Sequence, residues 1–212
     1  MRRLLEVLTP NRAKRKHVIM QQSQHYLDQQ EVLERNAQSF RLRFALAEDM
    51  ETLMRLQEDG YRGFQAWRYR DFVYDYHHNP YCVYLLLEEV QSKEVVGMIT
   101  GRFLARGAHI SHLIVQTSHQ RLGLGNYLLT AWIELVAQHQ LPQITLEVRQ
   151  SNEVAQQLYR AHRFIKIKDI PFYYDDNQET AYFMCRYMSV SYTHLTLPTI
   201  LRSCRSRWSP YH

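Results

Sequence analysis

The stretch HQRLGLGNYLL, His119–Leu129, sets two glycines, Gly123 and Gly125, one residue apart where an apolar run is about to coil into a helix. The chain has only seven glycines in 212 residues. Two at a helix start ask for a reason, because glycine costs an interior helix position about 1 kcal/mol relative to alanine. Upstream, AHISHLIV (108–115) alternates as a strand. Downstream, LGNYLLTAWIELVAQHQ (124–140) repeats Leu124, Leu128, Leu129, Trp132, Leu135 and Val136 at helical spacing. The predicted unit is strand, glycine loop, helix. The first N–H groups of a helix lack intrahelical acceptors and carry partial positive charge, so such a terminus binds phosphate. Glycine lets the backbone come close to that phosphate, and Arg121 adds charge-assisted hydrogen bonds. QRLGLG therefore reads as a pyrophosphate cradle. It is neither G-x-G-x-x-G nor a Walker loop, whose GKS or GKT end is missing. A plain flexible turn is the alternative that the spacing alone leaves open.

Working outward, RLRFALA (41–47) reads as a strand and AEDMETLMRLQEDGY (47–61) as a helix opened by Glu48 or Asp49. WRYRDFVYDYHH (67–78) holds a second helix. YCVYLLLEEV (81–90), EVVGMITGRFLA (94–105) and AHISHLIV form a meander of strands joined by hairpin turns. After the glycine unit come a strand, QITLEVR (143–149), a helix in SNEVAQQLYRAHRF (151–164) capped by Ser151 or Asn152, and two strands, IKIKDI and AYFMCRYM. This order predicts an α/β domain over 41–188 with a mixed, mostly antiparallel central sheet flanked by helices.

The ends differ from this body. Residues 1–16 carry Arg2, Arg3, Arg12, Lys14, Arg15 and Lys16 against Glu6, a charge of +5, and residues 189–212 carry +3. The chain as a whole has a net charge of +5, so the stretch between them is at −3. Residues 1–40 read as a basic N-terminal extension able to touch RNA or a ribosome weakly, with a solvated tail as the plain alternative. The segment SVSYTHLTLPTILRSCRSRWSPYH (189–212) has no Asp, Glu or Gly and looks like a non-native tail. Cys82, Cys185 and Cys204 are scattered and form no C-x-x-C pair, which fits a reducing cytoplasm and neither a zinc site nor a disulfide framework. His77, His78 and His119 lack ligand spacing, so no metal is expected. No apolar run approaches the ~20 residues of a membrane helix, so no membrane partner is expected.

QRLGLG resembles the Q/R-x-x-G-x-G/A acetyl-CoA motif of the GNAT acetyltransferase superfamily. LEVRQSNEVAQQLYRAHRF (146–164) is similar to the L-E-V-R-x-S-N-x-x-A-x-x-L-Y-x-x-x-G-F run of its bacterial ribosomal-protein-alanine N-acetyltransferases. The resemblance spans roughly 41–188, and its specific part is the second half. It implies the GNAT fold, acetyl-CoA as cosubstrate and transfer of acetyl to the N-terminal alanine of a ribosomal protein. It also implies roles. Leu113, Ile114 and Val115 would hold the pantetheine arm and acetyl carbonyl, and Arg121, Leu122, Gly123, Leu124, Gly125 and Asn126 the pyrophosphate. Asn152 would touch coenzyme A, Glu147 would be the general base and Tyr159 the general acid. Trp67, Tyr173 and Tyr174 would line the acceptor cleft, and acidic Asp175, Asp176 and Glu179 would suit a basic residue behind the acceptor alanine. Three positions depart from the family pattern. Arg163 stands where glycine is usual, Asn126 where a basic residue is commoner, and Thr117 where proline is frequent.

The chemistry also stands on its own residues. Making an amide from a thioester needs a neutral amine, a stabilised oxyanion and a proton for the departing thiolate. A peptide α-amino group has a pKa near ~8, so modest help suffices. Glu147 could take its proton through a water and Tyr159 could supply one to sulfur, with backbone N–H groups near Val115 at the oxyanion. The plain alternatives are a surface carboxylate for Glu147, with Arg149 assigned to the opposite face of the strand, and a core tyrosine for Tyr159. Another protein N-terminus or a small amine remains open as acceptor. So does a silent acyl-CoA- or RNA-binding module.

Overall fold

The computed structural model describes residues 17–188 except 62, 64 and 65; the basic 1–16 and the 189–212 tail lie outside the described residues. The elements are α1 (Val18–Asp28), β1 (Leu33–Arg35), β2 (Gln38–Phe44), α2 (Met50–Gly60), α3 (Tyr69–His78), β3 (Cys82–Glu89), β4 (Val95–Leu104), β5 (Gly107–Val115), α4 (Leu124–Gln138), β6 (Gln143–Arg149), α5 (Glu153–Ala161), β7 (Ile165–Ile170) and β8 (Ala181–Tyr187). The strands form one sheet in the order β1-β2-β3-β4-β5-β6-β8-β7. Every described pairing is antiparallel except β5 with β6. Among the described residues no helix is long and apolar enough to cross a membrane.

Alternation fixes which face each helix covers. Ile114 and Val115 are neighbours on β5 and so point to opposite sides. A Cβ on Gly60, the last residue of α2, would stand 2.5 Å from Cγ2 of Ile114, and one on Gly125 of α4 would stand 3.8 Å from Cγ2 of Val115. Thus α2 lies on one face and α4 on the other. Trp132 of α4 is fully buried edge-on to Phe103 of β4, with ring centroids 5.1 Å apart. Its truncation to alanine would cost about 3–5 kcal/mol. On the α2 face, Phe72 of α3 packs 5.5 Å from the ring of His112.

Two elements fall within 1–40, where no sequence signal marked them. The helix α1 buries Met20, Ser23, Tyr26 and Leu27 and packs against β2 and β3. It is tied to α4 by the Tyr26 hydroxyl, which donates to Oε2 of Glu134 at 2.7 Å, and by Ser23 Oγ, 2.7 Å from His139 Nε2. The strand β1 extends the sheet by pairing Leu33 with Phe40. The sequence VIMQQSQHYLD hides α1 because half of its buried face, Ser23 and Tyr26, is polar or amphipathic.

The helix expected to 164 ends at Ala161 for a defined reason. Arg163 sits at φ 63°, its N–H donates to the Arg160 carbonyl at 2.9 Å, and the N–H of Phe164 donates to the Tyr159 carbonyl at 3.0 Å. This is a Schellman end, completed by the contact of Phe164 with Tyr159, ring centroids 5.6 Å apart. An arginine thus occupies the left-handed position that normally favours glycine.

Candidate active site

The site is built where β5 and β6 separate. They pair only through Ala108–Ile144, His109–Thr145 and Ile110–Leu146. Past that point β5 stays with β4 as far as Val115, while β6 stays with β8 as far as Arg149. A bulge marks the parting: Thr100 faces His112 and Gly101 faces Ile110, which leaves Ser111 as the extra residue. Gly101 is required there because any Cβ would overlap the His109 carbonyl. Leu113, Ile114 and Val115 lie on the diverging arm. The Val115 carbonyl accepts from Nε2 of Gln120 at 3.1 Å, and the rest of this arm has no ladder partner on the β6 side.

The glycine loop leads from this arm into α4. Arg121 is at φ 64° and Gly123 at φ 78°. The first helical bond is from the Tyr127 N–H to the Gly123 carbonyl, 3.1 Å, so the N–H groups of Leu124, Gly125 and Asn126 precede the ladder, and no side chain caps them. A Cβ on Gly123 would meet nothing within 4 Å. Uncapped donors at the N-terminus of a 15-residue helix suit an anion. The two glycines therefore serve different ends. Gly123 supplies a left-handed turn, whereas at Gly125 a Cβ would meet Val115 and Leu158 of α5 at 3.8 Å, an ordinary van der Waals contact that only a larger side chain would crowd. Leu122 is half-buried, Leu124 is buried, and Asn126 is held by its Oδ1 at 2.8 Å from His162 Nε2. Asn152 caps α5, its Oδ1 accepting from the Ala155 N–H at 3.0 Å.

Glu147 stands on β6 on the α2 face, with a side chain only 18% exposed. Burial raises its pKa, against the pull of Arg102 and Lys168. Arg149, two residues on, points to the same face, as a strand period of two requires; the assignment to opposite faces was wrong. Arg149 is engaged by Asp176 at 2.9 Å and Glu179 at 3.3 Å, and its guanidinium lies 3.8 Å over the ring of Tyr174. Arg149 thus pairs two of the loop's three acids and leaves the loop net acidic. Burial disfavours the Glu179 carboxylate, but hydrogen bonds from Ser151, Asn177 and Arg149 outweigh this and bring it to about 2. Tyr173 packs against Tyr174 with ring centroids 5.0 Å apart.

From the other face, Tyr159 of α5 is buried. Burial first, then the nearby Tyr61 and Tyr174 phenols, push its pKa well up, so it stays a neutral proton donor. Tyr61, which no sequence signal singled out, ends α2 inside the site and is pushed to about 12 by burial. Trp67 is clamped by Gln57, whose Nε2 donates to the Trp67 carbonyl at 2.7 Å and whose Oε1 accepts from its N–H at 2.8 Å. Its ring meets His112 edge-on at 5.0 Å. Glu147, Tyr159, Tyr173 and Tyr174 are thus electrostatic neighbours around the gap. The glycine loop lies on the α4 side, and Trp67 closes the α2 side. No local sequence signal marks His109, whose Nε2 stands 3.3 Å from Oε2 of Glu147. Only the β5–β6 register reveals that pairing.

Residues 48–164 match the model of the Acetyltransferase (GNAT) family. The chain is 31% identical over 113 residues to a [ribosomal protein bS18]-alanine N-acetyltransferase of Haemophilus ducreyi, covering 52% of this chain and 78% of that relative. It is similar in structure to the ribosomal-protein-S18-alanine N-acetyltransferase of Escherichia coli, with TM-score 0.66 at 21% identity over 74% of this chain and 99% of the other. It is also similar to Arabidopsis thaliana NAA60 in complex with acetyl-CoA, with TM-score 0.62 at 16% identity over 70% and 98% of the two chains. At these identities the two solved structures speak for the fold.

Proposed function

Because the chain belongs to the GNAT acetyltransferase family, whose members are N-acetyltransferases, we propose that it transfers acetyl from acetyl-CoA to the N-terminal alanine of a ribosomal protein. The observation that carries this reading is the gap between β5 and β6, with a carboxylate raised by burial on one face and a neutral phenol reaching it from the other. The pyrophosphate sits at the open N-terminus of α4 beside Gly123 and Arg121, and Leu113, Ile114 and Val115 offer backbone groups to the pantetheine and the acetyl carbonyl. Asn152, spending its Oδ1 on the α5 cap, offers its amide N–H groups to coenzyme A. The acceptor enters from the α2 face between Trp67, Tyr173 and Tyr174.

The amine attacks the thioester carbonyl, forming C–N as C–S breaks. Glu147 takes the amine proton, directly or through a water, and Tyr159 gives its proton to the leaving sulfur. Backbone N–H groups near Val115 hold the oxyanion. The alanine acceptor is supported by the LEVRQSN run and by the name of the Haemophilus ducreyi relative. The cytoplasm is the compartment this substrate implies, and the basic residues 1–16 are read as a docking arm for the ribosome. Acetyl-CoA turnover against a panel of N-terminal hexapeptides and polyamines, with products mapped by mass spectrometry, tests the assignment. Preferred acetylation of an alanine α-amine is expected; preference for a polyamine or another N-terminus overturns the acceptor, and no turnover on any amine overturns the reaction.

A further inference from the structure

The approach of His109 to Glu147 is not explained by packing alone. The ring lies on β5 at the last stretch where that strand still pairs with β6, so backbone hydrogen bonds on both sides fix its position. Its Nδ1 is 3.0 Å from the Thr145 hydroxyl, and its Nε2 is 3.3 Å from Oε2 of Glu147. Both side chains are mostly covered, 23% and 18% exposed. Burial, then Arg102, bring the imidazole down to about 4, so the ring is neutral at physiological pH and carries one proton.

Where that proton sits follows from the neighbours. The Thr145 hydroxyl has two acceptors in reach, Nδ1 at 3.0 Å and the Ala108 carbonyl at 3.4 Å. The shorter contact is the stronger. If the hydroxyl donates to Nδ1, the ring proton is on Nε2 and faces the carboxylate. The other tautomer would set a nitrogen lone pair against a carboxylate oxygen, which is repulsive. The charge of Glu147 favours the tautomer with the proton on Nε2.

We infer that His109 is a positioning residue for the acetyl transfer: anchored by Thr145, it holds its Nε2 edge beside one oxygen of Glu147, at 3.3 Å and short of an aligned hydrogen bond, and leaves the other oxygen to the acceptor amine. This rests on the reading of Glu147 as the base. The positive end of an N–H dipole beside the carboxylate favours its charged form, and so works against the burial that neutralises it. Other charged and titratable groups face the pair: Arg102 from β4, Lys168 from β7, Tyr173 and Tyr174 from the β7–β8 connection, and Arg149 from β6 itself. Among the described residues, His109 alone lies within ion-pair distance of Glu147.

The test is the pH dependence of kcat for wild type, His109→Leu, His109→Gln, Thr145→Val and Glu147→Gln, each checked for folding by circular dichroism. Removing the donor in His109→Leu should move the acidic limb up by about one unit, a roughly tenfold loss of kcat below it, with KM for acetyl-CoA unchanged. His109→Gln restores an N–H and should bring the limb back. Thr145→Val, which releases the tautomer, should give a smaller shift in the same direction. An unmoved limb in a folded His109→Leu, while Glu147→Gln abolishes the limb, would overturn this role and leave Glu147 as base. A Glu147→Gln enzyme with wild-type turnover would overturn both.

Discussion

Arg163 offers a quantitative check on the local physics of the fold. It is the C′ residue of α5 at φ 63°, in the conformation that places a Cβ against the following carbonyl and costs a non-glycine residue about 1–2 kcal/mol. Arg163→Gly removes that strain. It also frees the unfolded chain, which gives back about 0.4–1 kcal/mol. The Schellman bonds of Arg163 and Phe164 are backbone bonds and survive the change. A further gain comes from relieving Arg186, whose pKa is lowered by burial and by the charge of Arg163. The net expectation is a stabilisation of about 0.5–1 kcal/mol. For a chain of this size each 1 kcal/mol is worth about 2–4 °C, so Tm should rise by roughly 1–4 °C in thermal unfolding followed by circular dichroism. The electrostatic part should shrink as salt is added, and Arg163→Ala, which keeps the Cβ, should show little of the gain. A fall in Tm for Arg163→Gly would refute the strain argument. A rise in Tm with lost turnover would show that the arginine was kept for function.

Further outcomes follow from the site. Gly123→Val should weaken coenzyme A binding by about tenfold or more in calorimetric titration, since it places branches beside the uncapped α4 donors and its left-handed φ becomes strained. Gly125→Val should instead disturb α4–α5 packing and lower Tm, because its Cβ faces Val115 and Leu158. Arg149→Met should raise the acceptor KM several-fold while leaving acetyl-CoA affinity unchanged, by unfastening the loop that carries Tyr173 and Tyr174; equal KM values in a steady-state assay would refute the latch. His109 and His112 are both held down to about 4, by burial foremost. The unfolded chain then binds more protons than the folded one between about pH 6.5 and 4. Stability is full above that window and is lost as pH falls through it. A folded His112→Leu variant should lose less Tm between pH 7 and 5 than wild type.

The elements from 41 onward were legible because their signals are local. The alternation of QITLEVR gives β6 its bounds, and the spacing of Leu124 to Val136 gives α4. The glycine loop and the LEVRQSN run were legible as motifs. Features set by tertiary pairing were not. Nothing in VIMQQSQHYLD announces a docked helix, since Ser23 and Tyr26 are buried through partners on α4 more than one hundred residues away. Tyr61 looks like any helix-end tyrosine among the chain's fifteen. The acidity of the 175–179 loop is visible in sequence, but the pairing of Asp176 and Glu179 with Arg149 depends on which way a strand residue points.

His109 shows why the site in particular resists such reading. Its neighbour in space is Glu147, thirty-eight positions on, and the two meet only because β5 and β6 run parallel for three residue pairs before they part. The bulge at Ser111 ends that pairing and reverses which residues face which side, so that His112 joins His109 on the α2 face while Leu113 and Val115 turn toward α4. Without the bulge, strict alternation would put His112 among the α4 contacts and Leu113 in the acceptor cleft. One inserted residue thus marks the gap and puts His109 and His112 on the α2 face, with Leu113 and Val115 on the face beside the glycine loop. Gly101 is the position that permits it, since only a residue without a Cβ can lie against the His109 carbonyl at that register.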